Sequence, residues 1–118
     1  MKFHTGIHFR TGLSLEELAT IIQLQNALFD DENEFEWVIG TCEGLDKIDI
    51  CRSHLVPPIE TETSVIRYAS EMDRVIPKPA LVEIAKRLNA VGIHDIEVRG
   101  FDYWGKFISI PSNKELGI

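Results

Sequence analysis

The sequence lacks long apolar runs and is poor in cysteine, with only Cys42 and Cys51 among its 118 residues. A helix needs about 20 consecutive apolar residues to cross a bilayer, and no segment approaches that length. The first residues alternate polar and apolar side chains and contain no signal-peptide core, so we expect a cytoplasmic protein. Two cysteines fit a reduced intracellular protein better than a disulfide scaffold, although a bridge between them across a hairpin is the alternative.

Short motifs that carry chemistry are also absent. The sequence has no phosphate-binding loop, dinucleotide fingerprint, nucleophile elbow or zinc-ligand spacing, so we expect no cofactor, no metal site and no catalytic residue. A net charge of −7 without a basic patch disfavours direct binding to nucleic acid or to anionic membranes. The length and the 44% hydrophobic content suit a single soluble domain over residues 1–118.

Acidic residues are abundant, and they are concentrated in one part of the chain. Twelve of the nineteen carboxylates fall between Asp30 and Asp73, where only Lys47, Arg52 and Arg67 are basic. This stretch therefore carries a formal charge of −9, and the rest of the chain carries +2. A field concentrated in this way affects solubility, association rate and the choice of partner more than it affects the fold.

The first third of the chain predicts a strand followed by a helix. Residues 3–9 alternate apolar and polar side chains, which is typical of a strand with one buried face. Ser14 and Glu17 then form a capping-box pattern at the start of a helix over about residues 15–28. The acidic run 30–34 is predicted to be a solvated loop, because carboxylates oppose the dipole at a helix C-terminus. The apolar side chains at helical spacing are Leu15, Leu18, Ile21, Ile22, Leu28 and Phe29.

The middle of the chain predicts two strands and an ambiguous segment. Residues 35–41 and 47–52 alternate in polarity and are joined by the turn-like residues 43–46. Residues 59–76 fit either a strand or a helix, and we favour a third strand through about Arg67, followed by a turn or a short helix.

The last third predicts a second helix and two more strands. Pro79 suits the first position of a helix, and Gly92 suits the C′ position after its end. Gly100 is predicted to be a bulge within a strand that starts near Ile96, and residues 107–110 form the final strand. The expected buried face of the helix consists of Leu81, Ile84, Ala85, Leu88 and Val91.

The resulting order is strand, helix, two or three strands, helix and two strands. We therefore expect an α+β fold with a mainly antiparallel sheet of about four to six strands and two helices packed on one face. A ferredoxin-like arrangement is one topology that this order permits.

Several residue groups have the composition of a site without the required spacing. His4 and His8 lie about 13 Å apart on a strand, too far to share an ion, and are expected to face solvent. Cys51 and His54 are close in sequence, but no flanking signature of a thiol nucleophile surrounds them. The acidic run at 30–34 lacks the glycine that a calcium loop needs at its sixth position, so weak divalent binding there is only an alternative.

The leading hypothesis is a non-enzymatic acidic protein that docks on a basic surface of a macromolecular partner. Complementary charge raises the association rate, and aromatic side chains near a turn at 101–105 would anchor the complex, although such aromatics commonly cap a core instead. By analogy, small acidic inhibitors such as the immunity proteins of bacterial toxins use the same physics. The expected partner is a basic protein, for example a nucleic-acid-handling protein or a toxin. The candidate binding residues are Asp30, Asp31, Glu32, Glu34, Glu36, Asp46, Asp49, Tyr103 and Trp104.

Two other interpretations compete with this one. A small enzyme or ligand-binding domain would have a pocket between sheet and helices, with Asp46, Asp49, His54 and Glu97 as its polar groups. A buried carboxylate with a perturbed pKa beside a cleft would favour it, and a solid apolar core would favour the binding protein. The third interpretation is a structural module that forms a homodimer or a larger homo-oligomer.

Overall fold

A computed structural model of the chain describes residues 3–67, 73–74, 76–101 and 107–110. These residues form an antiparallel sheet with two helices, so the α+β class is confirmed. In chain order the elements are β1 (Phe3–Phe9), α1 (Leu15–Ile21), β2 (Gln25–Glu32), β3 (Phe35–Cys42), β4 (Leu45–Ser53), a 3-10 turn (Pro58–Glu60), β5 (Thr63–Arg67), β6 (Asp73–Arg74), α2 (Lys78–Asn89), β7 (Glu97–Phe101) and β8 (Phe107–Ile110). No helix within these ranges is long and apolar enough to cross a membrane.

The strands follow the order β2-β3-β4-β5-β1-β7-β8 across the sheet, and all of these neighbours are antiparallel. The short β6 adds a parallel pair to β1. The first strand in the sequence therefore lies inside the sheet, whereas β2 lies at one end of it, with β3 as its neighbour. The sequence patterns predicted fewer strands between α1 and α2 than the structure contains, because they did not predict β2 and β6.

One face of the sheet carries the core. Val38, Ile50, Val65, Ile7 and Val98 are successive cross-strand partners from β3 to β7, and each is fully buried. Burial of one such side chain contributes roughly 1.5–3 kcal/mol. The same buried cluster includes residues of both helices, so α1 and α2 pack on this face. The largest fully buried helical side chains are Leu18, Ile84 and Leu88, and Ile22, the residue after α1, is also fully buried.

The predicted start of α1 is confirmed. Glu17 N–H donates to Ser14 Oγ at 3.1 Å, and Ser14 N–H donates to Glu17 Oε1 at 3.2 Å, which completes the capping box. Two backbone N–H groups that would otherwise lack an intrahelical partner are thereby satisfied.

The predicted end of α1 at about residue 28 is wrong. Gln23 adopts a left-handed conformation with φ 61°, and Leu24 N–H reaches back to Ala19 O at 2.9 Å. Gln23 N–H donates to Thr20 O, which gives the hydrogen-bond pattern of a Schellman cap. Leu24 is buried and anchors this cap. The helix therefore ends at Ile21, seven residues before the predicted position.

The predicted loop at 30–34 is wrong for its first part. Asp30–Glu32 continues β2, and only Asn33 and Glu34 form the turn into β3. Asn33 supplies the positive φ of 56° that the tight turn requires, and Glu32 pairs with Phe35 across it. Carboxylates are tolerated on this strand because it lies at the end of the sheet and its side chains reach solvent.

The second helix follows the prediction up to its last turn. Pro79 is the second residue of the helix, one position later than expected, because the helix begins at Lys78. Gly92 has φ 90° after the helix end, where Ile93 N–H donates to Leu88 O. Val91 was expected on the buried face but is 47% exposed, because it follows the helix instead of belonging to it.

The last strands differ from the prediction at one residue. Gly100 pairs in regular register with Thr5 on β1 and with Ile108 on β8, so the expected bulge is not present there. The strand through Arg67 is confirmed, whereas most of the expected turn or short helix after it lies outside the described residues.

Candidate binding surface

Four carboxylates lie together at the outer end of the sheet. Asp30, Asp31 and Glu32 follow one another on β2, and Glu34 lies in the turn to β3. All four are exposed, so their charges face solvent. We call residues 28–35 the acidic edge.

Exposed apolar side chains are part of the same edge. Leu28 is 74% exposed, and Phe29 and Phe35 are each 49% exposed. Leu28 and Phe29 are consecutive on β2 and therefore point to opposite faces of the sheet. The acidic edge therefore offers a partner both exposed apolar area and exposed charge. The sequence pattern had placed Leu28 and Phe29 on a buried helix face, so this feature was missed.

His54, which follows β4, makes hydrogen bonds to the turn between β2 and β3. Its backbone N–H donates to Glu34 O at 2.9 Å, and its ring Nε2 lies 2.6 Å from Asn33 O. A carbonyl oxygen only accepts, so Nε2 is the protonated nitrogen in this bond. Nδ1 lies 3.8 Å from Asp31 Oδ2. The segment after β4 thus fixes the turn, and the exposed Leu55 comes next to it in the chain.

Glu36 belongs to an internal ion pair beside the acidic edge. Arg52 Nε donates to Glu36 Oε1 at 2.8 Å, and Arg52 Nη1 donates to Leu13 O at 2.7 Å. Arg52 is only 5% exposed, so its charge depends on Glu36 and on this carbonyl for compensation. A cleft of about 460 Å³ opens next to the pair, between the start of α1 and the β2–β3 hairpin, and Phe29 and Asp31 line it.

Asp49, a predicted binding residue, is not part of the exposed surface. Ile48 and Ile50 occupy the core face of β4, so Asp49 points to the opposite face, where it is only 8% exposed. Burial raises the pKa of Asp49 to about 6, an effect partly offset by a hydrogen bond from Cys51. Within the described part of the chain, Asp49 Oδ1 has no hydrogen-bond partner. A buried carboxylate cannot contact a docking partner directly.

The other predicted binding residues have different locations. Asp46 lies near the β3–β4 turn, at the opposite end of that hairpin from the acidic edge, because Cys42 pairs with Leu45 and Phe35 pairs with Ser53. Tyr103 and Trp104 lie outside the described residues.

The cysteines do not form a site. Cys42 pairs with Leu45 and Cys51 pairs with Trp37, so the two thiols lie at distant positions on the hairpin and both are free, as expected. Burial, the charge of Asp49 and the hydrogen bond to it raise the pKa of Cys51 to about 12. The thiolate is the reactive form, so Cys51 is not an activated nucleophile at neutral pH.

A polar cluster lies on the sheet face opposite the helices. His8 Nδ1 lies 2.9 Å from Ser64 Oγ and 3.2 Å from Glu62 Oε1, and Arg99 pairs with the same carboxylate. Burial is the largest cause that lowers the pKa of His8, followed by the charge of Arg99. Serine, histidine and glutamate occur in catalytic triads, but there the ring bridges its two partners through different nitrogens. Both partners here meet Nδ1, so the cluster is structural, and His8 is half-buried instead of facing solvent as expected.

The polar groups of the enzyme interpretation do not converge. His54 contacts the β2–β3 turn, Asp49 faces away from the helices, and Glu97 lies 3.3 Å from Arg99 Nε. The space between sheet and helices is filled by the apolar cluster. In the described ranges, no group of three or more histidine, cysteine or acidic side chains is arranged to hold a metal ion.

Comparison with models of protein families, with curated proteins and with solved structures finds no match to this chain.

Proposed function

We propose that this chain is a non-enzymatic binding protein whose acidic edge docks on a basic surface of a protein partner. The observation that carries the proposal is the combination of Asp30, Asp31 and Glu32 with exposed Leu28 and Phe29 on one outer strand. The apolar pair directly precedes the three carboxylates on the strand, so apolar area and negative charge are available at the same edge.

The two kinds of side chain have different roles in such a complex. The four carboxylates of the acidic edge act on the encounter, because exposed charges attract a basic surface over about 8 Å at physiological ionic strength. Leu28, Phe29 and Phe35 act after contact, because burial of apolar area slows dissociation. They take the anchoring role that the sequence had assigned to Tyr103 and Trp104.

The proposed partner class is a basic protein that handles nucleic acid, such as a toxin with nuclease activity. Such a protein has a basic surface for phosphates, and an acidic protein bound there would compete with the nucleic acid. An inhibitor or immunity protein is the role that this competition suggests, by analogy with other small acidic inhibitors.

The test compares two triple variants with equal charge changes. In the first, Asp31→Asn, Glu32→Gln and Glu34→Gln neutralise the acidic edge. In the control, Glu60→Gln, Glu83→Gln and Asp95→Asn neutralise three exposed carboxylates elsewhere. With a partner isolated on the immobilised chain, stopped-flow association rates are measured over a salt series. The edge variant should associate more slowly than the control and show a weaker salt dependence. Equal rates for the two variants, with a flat salt dependence for wild type, would contradict the proposal.

A small-ligand-binding domain is the second candidate, favoured by the buried Asp49 with its raised pKa. Against it, Asp49 lines none of three clefts of about 400–460 Å³ that lie among the described residues. Shifts of the Asp49 and Cys51 amide resonances on addition of a small-molecule library, with none at the acidic edge, would support it over the binding protein.

A further inference from the structure

We propose that the partner binds by adding a strand to the outer edge of β2, and that this strand carries basic residues next to apolar ones. This inference rests on the proposed function, because it specifies how the acidic edge engages its partner. The occupant is one extended segment of a basic protein.

The backbone of β2 supplies the first argument. Within the described residues β2 has β3 as its only strand neighbour, so its outer N–H and C=O groups have no sheet partner. One of these donors, Asp31 N–H, bonds the Asp30 carboxylate at 2.8 Å, and an added strand would have to displace that bond. Leu28–Glu32 pairs with β3 in unbroken register, whereas a register shift between Gln25 and Leu28 and the positive φ of Asn26 interrupt the strand before it. The usable edge is therefore five residues long, or about 16 Å. About half of those residues direct their N–H and C=O outward.

The composition of the edge supplies the second argument. Outer strands are commonly protected from pairing by lysine, proline or a bulge within the exposed stretch. Leu28–Glu32 contains none of these, and its protection among the described residues consists of three carboxylates, of which Asp30 also accepts the Asp31 N–H. Carboxylates repel an acidic strand and attract a basic one, so this form of protection selects a basic strand.

Charge also argues against a second copy of this chain as the occupant. In a twofold antiparallel pairing of β2 with itself centred on Asp30, the two Asp30 side chains would lie directly opposite each other. Each copy would bring the four exposed carboxylates of the acidic edge to the same contact. Like charges at directly opposed strand positions are destabilising, so a basic strand from a different protein fits the edge better.

The order of side chains on β2 defines the complementary strand. Apolar residues opposite Leu28 and Phe29 would form stabilising cross-strand pairs, and lysine or arginine would do the same opposite the three following carboxylates. In antiparallel pairing the sequence of the partner strand, from its N-terminus, therefore consists of three basic residues followed by two apolar ones. A capped synthetic peptide with a central Lys-Lys-Lys-Val-Val segment is a suitable probe.

Two N-methylated versions of this peptide distinguish strand addition from attraction between charges. Successive N–H groups of a strand point to opposite edges, so methylation of alternate residues blocks only one edge. One isomer loses the donors that would face β2, and the other keeps them, whereas charge and side chains are the same in both.

Affinities of the three peptides are measured by calorimetry at low salt, and amide shifts are mapped by NMR. Strand addition predicts that the parent and one isomer bind alike, that the other isomer binds about tenfold more weakly or worse, and that amides of 28–32 shift. Equal binding by both isomers, abolished in the edge-neutralised triple variant, would overturn strand addition and leave the proposed function standing. No binding by any peptide, or self-association through β2 that the parent peptide does not disrupt, would overturn both proposals.

Discussion

Arg52 and Glu36 lie opposite each other on β4 and β3 and share a 2.8 Å hydrogen bond, although the arginine side chain is almost fully buried. Glu36 is partly exposed and directly follows the last residue of the acidic edge, so the pair joins a buried side chain to a surface residue beside that edge. Arg52 also donates to Leu13 O in the segment before α1. One side chain thus connects β3, β4 and the start of the first helix.

The first prediction is that Glu36→Ala destabilises the protein although Glu36 is near the surface. The substitution leaves the buried guanidinium of Arg52 without its carboxylate, and a hydrogen bond to a charged group contributes about 2 kcal/mol. Urea denaturation measures the change. Glu34→Ala is the control, because the Glu34 side chain is exposed and its backbone carbonyl, which accepts from His54 N–H, is kept in the variant. Equal denaturation midpoints for the two variants would show that the ion pair does not contribute to stability.

The second prediction concerns the start of α1. Ser14→Ala should lower the free energy of unfolding by about 1 kcal/mol, because Glu17 N–H loses its acceptor. Thr20→Ala is a suitable control, since the Thr20 hydroxyl only duplicates a helix contact by donating to Glu16 O. An unchanged midpoint in the Ser14 variant would argue against a stabilising role for the cap.

The third prediction is that Asp49 makes stability fall as pH rises. The folded protein holds the Asp49 proton more tightly than the unfolded chain does, because burial raises its pKa from 3.8 to about 6. Between these values the native state binds more protons than the unfolded chain. The contribution of Asp49 to the free energy of unfolding is therefore most favourable below pH 4, falls as the pH rises from 4 to 6, and is least favourable above pH 6. Asp49→Asn should therefore be about 3 kcal/mol more stable than wild type at pH 7 and nearly equal at pH 4.

Chemical denaturation of both proteins at several pH values measures this difference. Asp31→Asn serves as the control, because Asp31 is exposed and its replacement should give a small offset. A stability difference between Asp49→Asn and wild type that does not change with pH would contradict the raised pKa. NMR titration of the Asp49 carboxyl carbon provides an independent check.

The fourth prediction is that both cysteines are reduced and slow to react in the folded protein. Cys42 is buried with its thiol donating to Ile22 O at 3.3 Å, and the pKa of Cys51 is raised to about 12. Iodoacetamide without reductant should modify neither residue quickly in buffer at pH 7.5 and both in denaturant, as measured by mass spectrometry. Failure to alkylate either one in denaturant, with a mass two hydrogens lower, would indicate a disulfide.

The features that the sequence predicted correctly are local. The capping box at Ser14 and the alternation in residues 35–41 and 47–52 each depend on neighbours in the chain, and the structure contains all three. The end of α1 was missed because Gln23 takes the left-handed position that glycine usually occupies. Without a visible stop, helical spacing extended to Phe29, and the outer strand was read as helix and loop.

The candidate site was predicted only in part for a related reason. The excess of carboxylates at 30–34 is visible in the sequence, but their location on an outer strand depends on pairing with β3. The alternation of apolar and polar side chains on β4 shows that Asp49 points to the face opposite Ile48 and Ile50. It does not show that Asp49 is buried on that face. The contact of His54 with the hairpin turn joins residues twenty-one positions apart and has no sequence signature.

The last prediction separates the apolar and the charged side chains of the acidic edge. Leu28→Ala should leave the free energy of unfolding within about 0.5 kcal/mol of wild type, because Leu28 is 74% exposed. If Leu28 anchors a partner, the same substitution should speed dissociation by about thirtyfold, which corresponds to about 2 kcal/mol, and change association little. Val91→Ala is the matched control, since Val91 is also exposed but lies after α2. The two variants are compared by surface plasmon resonance with the partner or with the basic peptide. Equal dissociation rates for the two variants would show that Leu28 does not anchor the partner. A slower association for Leu28→Ala would show that Leu28 acts on the encounter, the step that the carboxylates are expected to control.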